Sequence, residues 1–397
     1  MDRREFLQGA GTIGGLSLLG ASLASASTSD GGSRSRGAMA DLLQALAELE
    51  ATFLSPAYGI TRPDDVAEGE RVLAHILQTG LQFWLEADPA RPVFVPYVTQ
   101  RRKLLGDNPD ALYYFAPVHG GGRYRIRGHI GTATFTSFTV EAGSAEGGAA
   151  TASIAELDDR KLQVNPDGSF EIHLGGEKPA SGNWLPLPAE AGQVTTRHYY
   201  ETPHCVMADL GARQELAIEA IDPLPPAPWG GDSQVAQSLR NVANFVRGQM
   251  PLAIPDPARR PAIPWVSMQP NQFNAPGQWR SESGYGNLSA WYAMAPYVVM
   301  PGQALEIRGR FPDCRFANVV LWNRFMQTYD YTRRQVSFNR NQLAYEEDGS
   351  FRIVLAHEDP GHPNWLQTEG RVSGLVYWRY LLPRGEPQAV SARLITL

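Results

Sequence analysis

The feature that most constrains this chain is an internal repeat whose two copies are separated by one constant distance. Five short motifs recur, each 181 positions after its counterpart, and a paired arginine follows at 182 positions. One offset held across five motifs indicates a duplicated domain. The pairs are Ile126-Arg127-Gly128 with Ile307-Arg308-Gly309, Phe135 with Phe316, Asp167-Gly168-Ser169-Phe170 with Asp348-Gly349-Ser350-Phe351, Glu177 with Glu358, Asn183-Trp184-Leu185 with Asn364-Trp365-Leu366, and Arg197 with Arg379.

Each copy has the pattern of antiparallel β structure. Phe170, Ile172 and Leu174 alternate with Glu171 and His173, as in a strand that is buried on one face. The Asp-Gly pair before this strand is typical of a tight turn. We therefore predict a mainly β protein with helical segments, built from two duplicated antiparallel β-sandwich or jelly-roll domains.

Three helices are expected outside the repeat, because apolar residues recur there every three or four positions. Two precede the first copy, around Leu42 to Phe53 and Leu73 to Trp84, and one lies between the copies, from Val235 to Met250. The predicted organisation is a signal peptide at 1–26, a flexible linker at 27–37, an N-terminal helical segment at 38–110, a first β domain at 111–222, a Pro-rich linker with a helix at 223–264, and a second β domain at 265–397.

The N-terminus has the features of a twin-arginine signal peptide. Arg3-Arg4 is followed by Phe6-Leu7, then by a Gly-rich apolar run and the small-residue cleavage site Ala24-Ser25-Ala26. The apolar run is too short to span a bilayer, so no stable membrane span is expected after cleavage. The sequence predicts a periplasmic or secreted protein that uses the twin-arginine export machinery.

Charge and cysteine content exclude some classes of function. The formal net charge is -6 and no basic stripe occurs, which argues against a nucleic-acid partner. Cys205 and Cys314 are the two cysteines of the sequence, too few for a disulfide scaffold or a four-cysteine zinc site. Their pairing with each other is left open.

Several long motifs show a resemblance to a bacterial family. The chain resembles the family known as domain of unknown function 1214, which often accompanies domain of unknown function 1254. The resemblance implies jelly-roll-like β domains with a helical segment, and it implies no reaction. His362 departs from the family pattern, which puts a histidine pair at that position in doubt. The motifs are Gly106-Asp107-Asn108-Pro109-Asp110-Ala111-Leu112-Tyr113, Asn183-Trp184-Leu185-Pro186, Leu321-Trp322-Asn323-Arg324, Arg334-Gln335-Val336-Ser337, Ala356-His357 with Asp359-Pro360-Gly361, and Pro363-Asn364-Trp365-Leu366.

The two copies differ between the equivalent phenylalanine and the Asp-Gly turn, and this difference suggests a site in the second copy. The first copy has Gly- and Ala-rich residues there, whereas the second is dense in polar and aromatic groups. Arginines suit anions and aromatic rings form flat apolar walls. Asp330, Tyr329 and His357 are candidate acid-base residues, and no metal site is predicted. Candidate ligand-binding residues are Trp322, Asn323, Arg324, Tyr331, Arg334, Asn339, Asn364 and Arg379.

Three hypotheses about function remain open from the sequence. The first is a binding protein for a small organic molecule, anionic or aromatic, in the second β domain. The second is a periplasmic hydrolase or lyase that uses the Asp, Tyr and His set. The third is a structural module of an envelope complex, which should present an exposed apolar patch. The identity of a cofactor and the oligomeric state cannot be read from the sequence and stay open.

Overall fold

The computed structural model describes residues 32–143, 146–222, 230–254, 263–278 and 285–397. Residues 34–397 form one compact unit. The predicted signal peptide at 1–26, with Arg3-Arg4 and the cleavage site, lies outside the described residues.

In the described ranges, three α-helices lie outside the repeat, as the apolar spacing predicts. Helix α1 spans Arg34–Phe53, α2 spans Pro63–Gly80 and continues as a π-helical turn at Leu81–Leu85, and α3 spans Asp232–Ala253. The last four residues of the predicted linker, 34–37, are therefore helical. The reason is a contact distant in sequence: the Asp232 carboxylate accepts hydrogen bonds from the first two backbone amides of α1. Single-turn 3-10 helices occur at Pro56–Tyr58, Val206–Ala208 and Arg340–Gln342.

The first β domain contains two sheets. Its strands are β1 (Val95–Pro96), β2 (Ala111–Pro117), β3 (Tyr124–His129), β4 (Phe135–Ala142), β5 (Ala152–Asp158), β6 (Ser169–Leu174), β7 (Asn183–Leu185), β8 (Ala191–Tyr199) and β9 (Leu216–Ala220). One sheet has the order β1-β2-β8-β4-β5 and the other β7-β6-β3-β9.

The second β domain repeats this arrangement strand for strand. Its strands are β10 (Gly277–Gln278), β11 (Ala290–Val298), β12 (Gln303–Gly309), β13 (Phe316–Trp322), β14 (Ser337–Asn339), β15 (Phe351–Ala356), β16 (Trp365–Gln367), β17 (Ser373–Leu381) and β18 (Ser391–Thr396). The sheets have the orders β10-β11-β17-β13-β14 and β16-β15-β12-β18. Each strand has its counterpart nine places earlier, so the predicted duplication and β-sandwich class are confirmed.

Each domain buries one face of both of its sheets in a sandwich core. In the first domain, Phe138 and Val194 of the five-stranded sheet pack in one cluster with Ile126 and Phe170 of the four-stranded sheet. Side chains alternate between the two faces of a strand, so every second residue of the five-stranded sheets points away from these cores. Those outward residues are buried as well: Tyr199 and Phe135 of the first domain pack with Phe316 and Leu381 of the second. The two five-stranded sheets therefore meet face to face.

Three equivalent positions on the outer faces of the four-stranded sheets carry opposite charges in the two domains, whereas Arg127 and Arg308 keep the same sign. In the first domain, Arg125 of β3 pairs with Glu171 of β6 and Glu219 of β9. At the equivalent positions of the second domain, Glu306 of β12 pairs with Arg352 of β15 and Arg393 of β18. The two copies thus keep the same strands but exchange the sign of the charge at each of these three positions.

Two further observations bear on the predictions for membrane and cysteine chemistry. None of the helices in the described ranges carries an apolar stretch long enough to cross a bilayer. Cys205 and Cys314 are both free thiols. Burial raises the pKa of the Cys205 thiol to about 12 and that of Cys314 to about 11, so neither is poised as a thiolate nucleophile at neutral pH.

Candidate functional site

A cavity of about 760 Å³ lies where the two five-stranded sheets face each other. Strands β2 and β8 of the first domain contribute Tyr113, Arg197 and Tyr199 to its wall, and β11 and β17 of the second contribute Tyr292, Tyr377 and Arg379. Segment 97–107 and the last residues of α3 complete the enclosure. The cavity is therefore shared between the domains, and its volume is in the range of small-molecule sites.

The walls are held together by two equivalent segments, each of which docks on the opposite domain. Asp110, just before β2, accepts hydrogen bonds from Asn318 (2.8 Å) and Asn339 (3.0 Å) of the second domain. Ser289, just before β11, donates hydrogen bonds to Glu156 (2.6 Å) and Asp158 (2.9 Å) of the first domain. This exchange fixes the position of one sheet against the other and so fixes the shape of the cavity.

Two arginines in the cavity wall occupy equivalent positions. Arg197 stands opposite Tyr113 in the β2–β8 pair, and Arg379 stands opposite Tyr292 in the β11–β17 pair. Both side chains are about 95% buried. A buried cation is costly unless a carboxylate or several hydrogen bonds compensate it. The two arginines differ in whether such partners are present.

Arg197 is neutralised by its own domain. Its Nη2 atom lies 3.3 Å from Oε1 of Glu141, a fully buried carboxylate. The guanidinium also donates to Oγ1 of Thr139 at 2.8 Å and to the carbonyl of Tyr285 at 3.0 Å. Glu141 in turn accepts hydrogen bonds from Gln193 and Thr195. The charge of this arginine is thus compensated by a carboxylate and two further acceptors without any ligand.

Arg379 has no carboxylate partner among the described residues. Its one hydrogen bond is a long contact of 3.4 Å from Nη1 to Oδ1 of Asn318, and its buried Nε has no acceptor in the part of the chain described. The guanidinium lies 5.0 Å from the ring of Tyr377, 5.8 Å from that of Tyr292 and 5.9 Å from that of Tyr199. The position equivalent to Glu141, 181 residues later, is Trp322. The second copy therefore keeps the arginine and has an indole where the first copy has the acid.

The acid connected most directly to Arg379 is Asp110, and an amide separates the two. Asn318 accepts from Arg379 with its oxygen and donates to Asp110 with its nitrogen. Burial raises the pKa of Asp110 to about 6, although the hydrogen bonds from Asn318 and Asn339 act to lower it. Arg379 is therefore linked, through Asn318, to a negative charge on Asp110 that is partly lost in mildly acidic solution.

Two other residues predicted for ligand binding, Trp322 and Arg324, also line the cavity. Trp322 is buried, its ring lies 4.2 Å from that of Tyr377, and its Nε1 donates to the carbonyl of Asp107 at 2.8 Å. Arg324 is partly exposed and is paired with Asp65 of α2 at 3.3 Å. Among the three lining arginines of the described chain, Arg379 is the one without an ion pair.

The candidate acid-base residues do not meet. Tyr329 is buried and shares a 2.6 Å hydrogen bond with the hydroxyl of Tyr297. Asp330 is half exposed and caps the turn at Thr332. His357 contacts Thr368 at 2.6 Å and the carbonyl of Val299 at 2.8 Å. None of the three lines the cavity.

The remaining predicted residues have partners within the protein. Asn323 and Asn339 cap turns, Tyr331 packs under the Lys103 ammonium, and Arg334 faces Glu369. Asn364 makes three hydrogen bonds, to both backbone groups of Ala344 and to the carbonyl of Arg352. Asn183 makes the same three contacts in the first domain. The shared geometry indicates that this asparagine holds a turn in each copy.

The loop 323–334 is polar because it docks onto other parts of the protein. The Asp107 carboxylate accepts hydrogen bonds from the backbone amide and the hydroxyl of Thr328. Lys103, which is 5% exposed, donates to the carbonyls of Thr328 and Tyr329. Most of the polar groups that suggested a site in this loop are satisfied by these contacts.

The tyrosines around Arg379 were not among the residues predicted from the sequence to bind a ligand. Tyr113, Tyr199, Tyr292 and Tyr377 come from four strands of two domains. A usable signal was present: the repeat pairs Tyr113 with Tyr292 at the smaller offset of 179 that also relates Ala116-Pro117 to Ala295-Pro296. In the described residues, no group of three or more His, Cys, Asp or Glu is arranged to hold a metal.

Comparison with known proteins places the repeat in a family. The family model described as Protein of unknown function (DUF1214) matches residues 115–203 and 305–385, one match in each β-sandwich domain. No curated protein matches the chain.

Comparison with solved structures gives one protein with a similar fold and several weaker matches. An uncharacterized protein from Burkholderia cenocepacia is 28% identical with a TM-score of 0.78, over 90% of this chain and 96% of that one. The VPA0106 protein from Vibrio parahaemolyticus is 11% identical with a TM-score of 0.45, over 82% and 98% of the two chains. An oxalate decarboxylase from Bacillus subtilis has a TM-score of 0.14 at 8% identity, over 72% and 71%. The last two likenesses are too low to support an argument.

Proposed function

The chain belongs to the DUF1214 family, whose description names no reaction, and we propose from its cavity that it binds a small organic anion. The ligand lies between the two β-sandwich domains, and its negative group is held by Arg379. The proposal rests on one observation: Arg379 is a buried cation without a carboxylate partner among the described residues, at the wall of an open cavity.

The duplication supplies an internal comparison that supports this assignment. Arg197 shows how the same scaffold satisfies a buried arginine when no ligand is needed, through Glu141. At Arg379 the equivalent acid is missing and space is present instead. A carboxylate or sulfonate in that space would accept paired hydrogen bonds from the guanidinium, which is the strongest interaction the residue can make.

The chemistry of the walls favours binding over catalysis. Among the described lining residues, the one carboxylate is Asp107, and both of its oxygens are engaged by Thr328. The other polar groups are tyrosines, threonines and arginines. Burial raises the pKa of Tyr292 and Tyr377 above the usual value, so these hydroxyls stay protonated at neutral pH. Burial also raises the pKa of Asp107, but because both of its oxygens accept hydrogen bonds from Thr328 it is not free to act as a general base on a ligand.

The proposal is tested by ligand-induced thermal stabilisation of the purified protein. Benzoate and benzenesulfonate are compared with benzamide, which has the same ring without the charge. We expect the anions to raise the melting temperature in a saturable way, and benzamide to have no effect. The effect should be lost in Arg379→Gln.

Arg333→Gln provides a matched control, since Arg333 has a side chain that is 82% exposed and lies outside the cavity. This variant should respond to anions as the unchanged protein does. Equal stabilisation by benzamide, or an undiminished response in Arg379→Gln, would overturn the proposal.

The proposed location is outside the cytoplasm. The support is the Arg3-Arg4 pair and the Ala24-Ser25-Ala26 site in the sequence. A binder of small anions in that compartment would meet solutes that enter from the medium.

A further inference from the structure

The cavity lining combines a buried cation with exposed apolar side chains. Arg379 is 5% exposed. Three large apolar lining residues are open to solvent: Leu252 is 42% exposed, Ile263 is 36% exposed and Met268 is 61% exposed. We refer to these three residues as the apolar rim. Exposed lining residues mark where a cavity meets solvent, so the cavity leads from a buried cation to an opening that includes this rim and the partly exposed Arg324, which is paired with Asp65.

Aromatic rings and a short apolar segment lead from Arg379 towards the apolar rim. The ring of Tyr377, 5.0 Å from the Arg379 guanidinium, lies 6.2 Å from the ring of Trp265. Trp265 also packs on Tyr292 at 5.6 Å. The chain then runs from Trp265 through Val266 to Met268, and each of these residues lines the cavity. The side chains along this route are uncharged.

The volume of the cavity and its apolar walls suit a ligand that is larger than a small anion. A cavity of about 760 Å³ holds a drug-sized molecule. A bare carboxylate would fill little of it and would leave apolar surface in contact with trapped water. Leu104, Leu105, Met294 and Leu375 add to the apolar wall.

We infer that the ligand is an amphipathic monocarboxylate with one charged head and an extended apolar body. The head is bound by Arg379, and the body lies along Tyr377 and Trp265 so that its far end reaches the apolar rim. One head group is expected because one lining arginine lacks an ion pair among the described residues. This inference rests on the proposed function and adds the ligand's class and its orientation.

The test uses a series of ligands that share a head and differ in length. Benzoate, phenylacetate, 3-phenylpropanoate, 4-phenylbutanoate and 6-phenylhexanoate are titrated into the purified mature protein by calorimetry. Each buried methylene should strengthen binding by about fourfold. The affinity should therefore rise along the series and level off once the body reaches the solvent.

Two variants locate the far end of the ligand. Met268→Glu places a charge at the apolar rim. Met300→Glu is the matched control, because Met300 is 50% exposed and does not line the cavity. Both positions are exposed, so both variants should fold. Met268→Glu should weaken binding of 6-phenylhexanoate by at least about tenfold more than it weakens binding of benzoate, while Met300→Glu should change neither.

The outcomes separate this inference from the proposed function. If every member of the series binds equally and depends on Arg379, the anion site stands and the amphipathic ligand is refuted. The same holds if Met268→Glu and Met300→Glu behave alike with the longest ligand. If no member binds in an Arg379-dependent way, the proposed function fails and this inference fails with it.

Discussion

Replacing each of the two equivalent arginines by methionine should have very different effects on stability. Methionine has a similar length and keeps most of the packing while removing the charge. Arg197→Met leaves the fully buried Glu141 without its cation, and breaking such a pair costs about 3–5 kcal/mol. Arg379→Met removes a buried cation that has no carboxylate partner in the described chain, and so relieves a desolvation penalty.

The magnitude for Arg379 follows from its contacts. The substitution loses the interaction with three tyrosine rings, each worth about 0.5–2 kcal/mol. It also removes the desolvation cost of the ion, which is several kcal/mol. These two effects nearly cancel, so the free energy of unfolding should change by no more than about 1–2 kcal/mol.

Differential scanning calorimetry of the ligand-free protein distinguishes the two cases. For a unit of this size, 1 kcal/mol corresponds to about 1.3 °C in melting temperature. Arg197→Met should therefore lower the melting temperature by about 4–6 °C, and Arg379→Met should leave it within about 3 °C. Adding Glu141→Gln to Arg197→Met should recover part of the loss, since it removes the orphaned charge. If Arg379→Met costs as much as Arg197→Met, Arg379 is a structural residue and the reasoning is refuted.

Three further predictions follow from the charges and motifs. Replacing both Arg3 and Arg4 with lysine should retain the protein in the cytoplasmic fraction, and unchanged periplasmic recovery would contradict twin-arginine export. The affinity for benzenesulfonate, which stays charged, should rise about threefold to tenfold from pH 7.5 to pH 5. The reason is that protonation of Asp110, whose pKa is raised to about 6, removes the negative charge that reaches Arg379 through Asn318. Glu201 also raises this pKa and Arg379 lowers it, and an affinity that falls with acid would exclude the link. Asn183→Ala and Asn364→Ala should each lose about 2–3 kcal/mol of stability without change in anion affinity, since each removes three turn hydrogen bonds; a binding defect confined to Asn364→Ala would place that residue in the site.

The architecture could be predicted from the sequence because the repeat and the local periodicity both depend on residues near one another in the chain. The constant offset predicted the duplicated sandwich, and the apolar spacing located the three helices. The start of α1 was misplaced because it is fixed by Asp232, almost two hundred positions away, and no local pattern records that contact.

The site was only partly accessible to sequence reasoning. Arg379, Trp322 and Arg324 were named and do line the cavity. The polar loop after Trp322 was predicted to form the site. A sequence does not distinguish polar groups that are hydrogen-bonded within the protein from those that are available to a ligand. Thr328, for example, is engaged by Asp107. That the first domain supplies Tyr113 and Tyr199 depends on how two folded sheets meet, which no spacing within one copy reveals.

The reversed charge rows on the outer sheets have a consequence for how a duplicated chain folds. Strands β3 and β12 share the Ile-Arg-Gly motif and the same apolar alternation, so either could pair with the neighbours of the other. Exchange would set Arg125 directly opposite Arg393 and diagonal to Arg352, and Glu306 directly opposite Glu219 and diagonal to Glu171. Like charges directly opposite each other destabilise a strand pair, whereas the native rows pair opposite charges. The charge of the central residue, Arg125 in β3 and Glu306 in β12, therefore favours pairing of each strand within its own domain. It opposes the strand exchange to which tandem repeats are prone.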